Sequence, residues 1–303
     1  MVSKSQYGAR EVKACKSVLL ELVHLLGEIK DEMVIIGGWV PTFLFPQPDE
    51  PQTKRMFNPA IFDPAIFDTD EPHIGSLDID VALDFSKIPD DTYQTILKAF
   101  LKRGYTQDKE QLFRFFRKVS VKGEDPVSVE VDLMAGEYGG TSTGHRTQKI
   151  QDIRARKARG CDLAFDSSIT VTLEGELPDG GKDKVSFKVA GFVPFLVMKG
   201  MAMFDRMKEK DAYDIYYCIE HYPGGVKGLA SEFMPHLKNK LVIEGLEKIR
   251  SKFATIDHIG PKWVADFREV TEKEDRDIIM RRAYEKISEL LDILKISLWE
   301  EKA

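Results

Sequence analysis

Long apolar runs are missing from this 303-residue chain. No stretch of about 18 apolar residues occurs, so no transmembrane helix is expected. The opening residues, MVSKSQYGAREVKACKS, lack the apolar core of a secretory signal, and the expectation is a cytoplasmic protein. Cysteine is scarce: Cys15, Cys161 and Cys218 are the only three. Their odd count and wide spacing exclude a zinc pattern and fit reduced, buried thiols. Positive charge is not in excess. Lys and Arg number 44 against 50 Asp and Glu, a formal net charge of -6. That argues against a protein that coats DNA, while leaving room for a local basic groove. Neither GxxxxGK[ST] nor GxGxxG occurs, so P-loop and Rossmann readings lack support.

What is present describes a globular protein. Hydrophobic residues make up 43% of the chain and charged residues of mixed sign 31%. The length suits about two domains at roughly 100–200 residues each. Val12, Cys15, Leu19, Leu22, Val23, Leu26 and Ile29 recur at helical spacing. MVIIGGWV reads as a buried strand that ends in a glycine turn, and VPTFLF as the start of a short helix. Residues 46–72 are rich in proline and acid and read as an inserted loop. SLDIDVALDF, QLFRFFRKVSVK and VSVEVDLMAG read as strands, with a helix over DDTYQTILKAFLKRGY that starts near Asp90 or Asp91. SSITVTLEG and KVSFKVAG form a further β pair around PDGGKD. From Pro194 onward the pattern is mostly helical, ending in a long helix with apolar Ile278, Ile279, Ala283, Ile287, Leu290, Leu291 and Leu294. The fold class is therefore α+β. A mixed sheet with helices over 1–190 is expected to precede a helical region over 191–303.

Two strands carry the chemistry. Side chains alternate faces along a strand. In one, Leu77, Ile79, Val81 and Leu83 face one way while Asp78, Asp80, Ala82 and Asp84 face the other. Asp78 and Asp80 then stand roughly 6.5–7 Å apart on a single face. At that spacing they can reach the same one or two divalent cations, and Mg²⁺ prefers such hard oxygen ligands. Asp84 lies one pleat further along and reads as a solvated strand end. In the second strand Val127, Val129, Val131 and Leu133 oppose Ser128, Glu130 and Asp132. If the strands pair, three or four carboxylates converge, as a two-metal phosphoryl-transfer site requires. Either Asp132 or Glu130 would then be the third ligand.

Three further features fit a phosphate. Gly37 and Gly38 follow an apolar strand and precede a short helix, where glycine allows close backbone approach. Lys199 interrupts the apolar FLVMKGMAM, so it is either snorkelling or paired with an anion. In KEKDAYDIYY, Asp211 reads as the N-cap of the next helix or as a site residue, and Asp214 as an exposed position or a site residue.

The glycine pair, the DxD strand, the later carboxylate strand and K…KDAYDI together resemble a minimal nucleotidyltransferase of the DNA polymerase β superfamily. More narrowly, they resemble the AbiEii/AbiGii type, several members of which are toxins of toxin–antitoxin pairs. The likeness spans roughly residues 30–220. It implies that Asp78, Asp80 and Asp132 bind Mg²⁺ or Mn²⁺. It implies that Gly37, Gly38, Ser76 and Lys199 contact the nucleoside triphosphate, with Lys199 and Asp211 among the catalytic residues. The helical region would complete the nucleotide site. The implied reaction transfers a nucleoside monophosphate to a hydroxyl. His73 and Gly75 stand where the family often has a basic residue before the serine, and the 46–72 loop is longer than usual.

Relatives of that type point to RNA, such as a tRNA 3′ end, as acceptor, with a cognate antitoxin or regulator as partner. The segment QKIQDIRARKARG offers Lys149, Arg154, Arg156, Lys157 and Arg159, which suits a phosphate backbone or a solvated helix face. Two other readings stand beside this one: a nucleotidyltransferase acting on a small hydroxylated compound such as an aminoglycoside, and a non-catalytic nucleotide-binding module.

Overall fold

The computed structural model describes residues 3–45, 72–84, 86–88, 90–120, 125–136, 147–150 and 153–300. They divide into two compact units. Residues 7–45 and 75–191 make up one; residues 3–6, 72–74 and 192–300 make up the other. The expected inserted loop lies outside the described residues except for its last position, Pro72.

The first unit is built on one mixed sheet. Its strands are β1 (Met33–Ile36), β2 (Asp78–Leu83), β3 (Tyr105–Gln107), β4 (Arg114–Val119), β5 (Val127–Ala135), β6 (Thr147–Ile150), β7 (Ile153–Lys157), β8 (Ser168–Glu176) and β9 (Lys182–Ala190). The order is β3-β4-β5-β2-β1-β9-β8, and β7 also pairs with β5 and with β6. β1 is four apolar residues, all buried, and lies between β2 (antiparallel) and β9 (parallel), which pair its backbone on both sides. β2 and β5 run parallel, so a long crossover separates them in sequence.

The helices of this unit are α1 (Ala9–Leu25), α2 (Val40–Leu44), α3 (Asp90–Lys102) and α4 (Asp162–Asp166). α1 buries Cys15, Val18, Leu19, Leu22 and Val23, the stripe its spacing predicts. It lies over β5, β8 and β9. Its buried Glu21 accepts from Arg117 Nε of β4 at 2.8 Å, pinning helix to sheet. Phe43 of α2 meets Phe187 of β9 edge-on at 5.3 Å.

The segment read as a possible basic helix is a hairpin instead. β6 and β7 pair antiparallel, with Lys149 opposite Arg154, and Met134 and Ala135 of β5 hold β7 by parallel pairing. The exposed edge of β5 beyond Asp132 needs a strand partner, and that demand overrides the helical reading.

The second unit is helical: α5 (Phe192–Arg206), α6 (Glu209–Glu220), α7 (Gly225–Phe233), α8 (Lys240–Lys252), α9 (Ile259–Phe267) and α10 (Lys273–Ile293). α5 packs on α6 and α8, α6 on α9, and α9 on α10. α5 and α8 come unusually close. A side chain at Gly200 would overlap the Gly245 carbonyl, and one at Gly245 would press on the backbone of Val197. Of the apolar residues of α10, Met280, Ala283, Ile287, Leu290 and Leu291 are buried, while Ile278 is exposed. Among the described residues no helix is long and apolar enough to cross a membrane.

Candidate functional site

The acidic face of the sheet is assembled by register. Asp78 of β2 lies opposite Glu130 of β5, and Asp80 lies opposite Asp132. Ile79, Val81, Val129 and Val131 are buried and hold the strands down, and Asp78, Asp80 and Glu130 stay half-buried. The two strands expected to share their acids do so, pair by pair.

The surroundings of Asp78 and Asp80 are also sequence-determined. Ser76 is buried and donates from Oγ to Asp78 Oδ1 at 2.5 Å. Ile36, the last residue of β1, lies opposite Asp80, and the chain turns at once. Gly37 has φ of 71°, and a Cβ there would overlap the Asp80 carboxylate. Only glycine satisfies both conditions. Gly38 follows, buried in the same turn. The short helix α2 begins after it, but it has five residues and Pro41 in its first turn. Proline removes one N–H there, so the glycine turn, rather than a helix terminus, is what stands by the acids. Asp84 is held aside: its carboxylate pairs with Lys87 at 2.7 Å and accepts from Ser86 at 2.6 Å.

Asp132 has a partner that reading the sequence missed. Arg114 of β4 lies opposite Asp132 in the antiparallel β4–β5 register. Its Nε donates to Asp132 Oδ1 at 2.8 Å and its Nη2 to Oδ2 at 2.8 Å. The same Nη2 lies 2.6 Å from Glu130 Oε1. These bonds push the Arg114 guanidinium further up, against the opposing effect of partial burial. The signal was present: in QLFRFFRK, Arg114 and Phe116 alternate with Phe113 and Phe115, which puts the arginine on a definite sheet face.

This arrangement decides how far a metal fits. Among the described residues no group of three or more His, Cys, Asp or Glu side chains is disposed to hold one. Asp78 and Asp80 suit a hard cation, since Mg²⁺ takes one or two carboxylates with waters or phosphates. Asp132 does not join them, because both its oxygens bind Arg114. Sulfur is no substitute: Cys15 and Cys161 are buried free thiols, and burial pushes both up, with Asp80 adding to it.

Lys199 and Asp211 belong to the helical unit. Lys199 is paired rather than snorkelling. Its Nζ lies 2.8 Å from Asp211 Oδ1 and 2.7 Å from Asp214 Oδ2. Asp211 is not the N-cap of α6, a place taken by Lys208. It sits inside the first turn and also accepts from Arg206 Nε and Nη2, each at 2.8 Å. Asp214 is buried, not exposed. It accepts from Lys210 Nζ at 2.9 Å and lies 2.9 Å from His73 Nε2. Burial pulls Lys199 down, but the two aspartates reverse this and hold it above its ordinary value. Burial raises the aspartates, yet Lys199 with its companions holds both below the carboxylate range. His73 is held neutral, down at about 4, chiefly by burial. Lys199, Arg206 and Lys210 are three cations and Asp211 and Asp214 two anions, so this set is positive by one charge.

Comparison of the chain with protein-family models, with curated proteins and with solved structures finds no match. The resemblance to nucleotidyltransferases therefore rests on the residues themselves. Of the residues it names, Gly37, Gly38, Ser76, Asp78, Asp80 and Asp132 lie in the sheet unit; Lys199 and Asp211 lie in the helical one. Of the basic segment, Arg156 and Arg159 are exposed and Lys157 is half-buried.

Proposed function

We propose that the chain is a metal-dependent nucleotidyltransferase that moves a nucleoside monophosphate from a nucleoside triphosphate to a hydroxyl, in a toxin-like manner and with RNA as the favoured acceptor. One observation carries the reading: Asp78 and Asp80 share a face with Glu130 and Asp132 in register, directly beside the Gly37 turn. A generic solvated strand has no need of such a constellation, because like charges directly opposite one another destabilise a sheet.

Asp78 and Asp80 would hold the cation. When bound, Mg²⁺ or Mn²⁺ supplies Lewis-acid polarisation of a phosphoryl oxygen and makes a hydroxyl easier to deprotonate. Ser76 orients Asp78 by its hydrogen bond. Gly37, with no side chain, lets the Asp80 carboxylate pack against the backbone of the turn. Lys199 lies in the helical unit, held there by Asp211 and Asp214. Such chemistry is mostly positioning and electrostatics, so a few oriented groups suffice. The exposed Arg156 in β7 and Arg159 just after that strand favour a phosphate backbone as acceptor.

The test incubates purified protein and Mg²⁺ with each α-³²P-labelled nucleoside triphosphate and with total RNA or cell extract. Label should enter RNA, and Asp80→Ala should abolish it. Folded protein that labels no fraction sinks the enzyme reading. Label confined to small molecules moves the acceptor to a hydroxylated compound.

A further inference from the structure

The sheet ends differently on its two sides. β3, at one end, has three residues, whereas β8, at the other, has nine. Among the described residues β8 pairs with β9 alone, in unbroken register from Ser168 opposite Ala190 to Glu176 opposite Lys182. Just beyond the two ends of this ladder, Gly191 N–H donates to Ser167 O at 2.9 Å and Leu177 N–H to Gly181 O at 2.6 Å. Bonded and unbonded positions alternate along an antiparallel pair, so the odd-numbered residues of β8 aim their main-chain groups at β9 and the even-numbered ones aim theirs away. Among the described residues the outward main-chain groups of Thr170, Thr172 and Glu174 have no hydrogen-bond partner. Thr170, Glu174 and Glu176 are exposed, so solvent reaches this edge. Long edge strands are commonly guarded by lysine, by proline or by a bulge. β8, SITVTLEGE, has none of the three.

We infer that the β8 edge is an interface for a second copy of this chain, joined by antiparallel β8–β8 pairing about a two-fold axis at Thr172. The edge is complementary to itself in this register. The whole strand overlaps, with Thr172 opposite its own copy, Thr170 opposite Glu174 and Ser168 opposite Glu176. No two carboxylates meet, whereas an axis at Glu174 would set that residue against itself. On the inner side Glu174 is matched by Lys184 at 3.1 Å, and the Thr172 and Ser186 hydroxyls lie 2.8 Å apart. Two copies join these into one row of hydroxyls across the axis. On the opposite face, where α1 packs, Val171 meets Leu173 and half-buried Ile169 meets Gly175 of the second copy. Gly175 has no side chain of its own, and Leu20 of α1 borders it, so Ile169 gains an apolar neighbour there. An extended peptide of other sequence would satisfy the same main-chain groups. Only the chain's own strand carries both halves of the Ile169–Gly175 match.

The experiment follows the full chain by sedimentation velocity from about 1 to 200 µM, a range that captures a contact smaller than a standard interface. Wild type should pass from monomer to dimer. Thr172→Lys sets two ammonium groups face to face at the axis and should weaken the dimer by at least about tenfold. Thr172→Pro removes an N–H that points outward, so it spares the β8–β9 ladder and should leave a monomer. Circular dichroism checks that the proline variant folds; where it does not, Thr172→Lys decides. Register is read by mild oxidation. The native cysteines are buried, so an introduced thiol reports alone. Thr172→Cys brings two Cα atoms to about 5.5 Å and should give a disulfide-linked dimer. Glu174→Cys leaves them roughly 14 Å apart and should give at least about tenfold less. A chain that stays monomeric throughout overturns the inference, even if the edge takes up an added peptide. So does a dimer that Thr172→Lys or folded Thr172→Pro leaves intact, or one in which Glu174→Cys cross-links as well as Thr172→Cys.

Discussion

Acid should destabilise the protein well above the usual carboxylate range, and His73 is the reason. Its side chain is fully buried, 2.9 Å from Asp214. It stacks on Tyr213 at 5.8 Å and meets Tyr217 edge-on at 5.0 Å. Burial is the largest influence on it and lowers it from 6.5 to about 4; Lys210 and Lys199 push the same way, and Asp214 opposes. The unfolded chain takes up a proton at His73 near pH 6.5, whereas the folded chain refuses it until about 4. Stability is thus complete above about pH 6.5 and falls as pH drops toward 4. The gap of roughly two and a half pH units, at about 1.36 kcal/mol per unit, amounts to roughly 3 kcal/mol. Below that window Asp214 and Asp211 act in the same direction: held below the carboxylate range when folded, they take up protons first in the unfolded chain. Urea denaturation from pH 7.5 to 4.5 measures the slope. His73→Gln keeps a neutral N–H for Asp214 and should flatten it. Equal slopes in wild type and His73→Gln would refute the reasoning.

Other expectations follow from particular contacts. Lys199→Met leaves Asp211 and Asp214 buried beside fewer cations and should cost about 3–5 kcal/mol in chemical denaturation; a loss under about 1 kcal/mol would mean that Arg206 and Lys210 suffice. Gly37→Ala forces a side chain into a left-handed conformation at about 1–2 kcal/mol and drives it into Asp80, so both melting temperature and NMP transfer should fall. Gly200→Ala places a methyl group against the Gly245 carbonyl and should destabilise by about 1–3 kcal/mol, although alanine is the better helix former. An unchanged melting curve would show that α5 and α8 can part freely.

Much of the sheet was legible because its signals are local. Alternation over DIDVAL and VSVEVDLM put the acids on one face before any pairing was known, and the register then joined them. What escaped was set by distance in the sequence. Arg114 lies 18 residues before Asp132, and nothing near it announces that the two strands align arginine with aspartate. The same holds for His73 and Asp214, which are 141 residues apart. For Asp214 the sequence left an exposed position and a site residue both open; its burial follows only once Lys199, Lys210 and His73 surround it. The basic segment misled for another reason. Its composition suits a solvated helix, but the open edge of β5 recruits it as a strand. Ile278 on the long helix shows the limit of periodicity, since position on the stripe does not guarantee a neighbour to cover it.

The meeting of α5 and α8 at Gly200 and Gly245 is a contact of main chain with main chain. Main-chain atoms in a helix have no rotamers to freeze, so this joint adds no side-chain entropy loss on folding. Those main-chain atoms have none to readjust either, although the Val197 and Ile249 side chains also border the joint. Elsewhere in a core, a neighbour can swing to another staggered position and absorb an added methylene; here the spacing of the helices is set by hard backbone contact. Lys199 is the residue before Gly200, so this seam fixes its starting point. Drift at other positions of α5 and α8 can be absorbed around the joint, while any side chain at 200 or 245 moves the ammonium and both of its aspartates out of register.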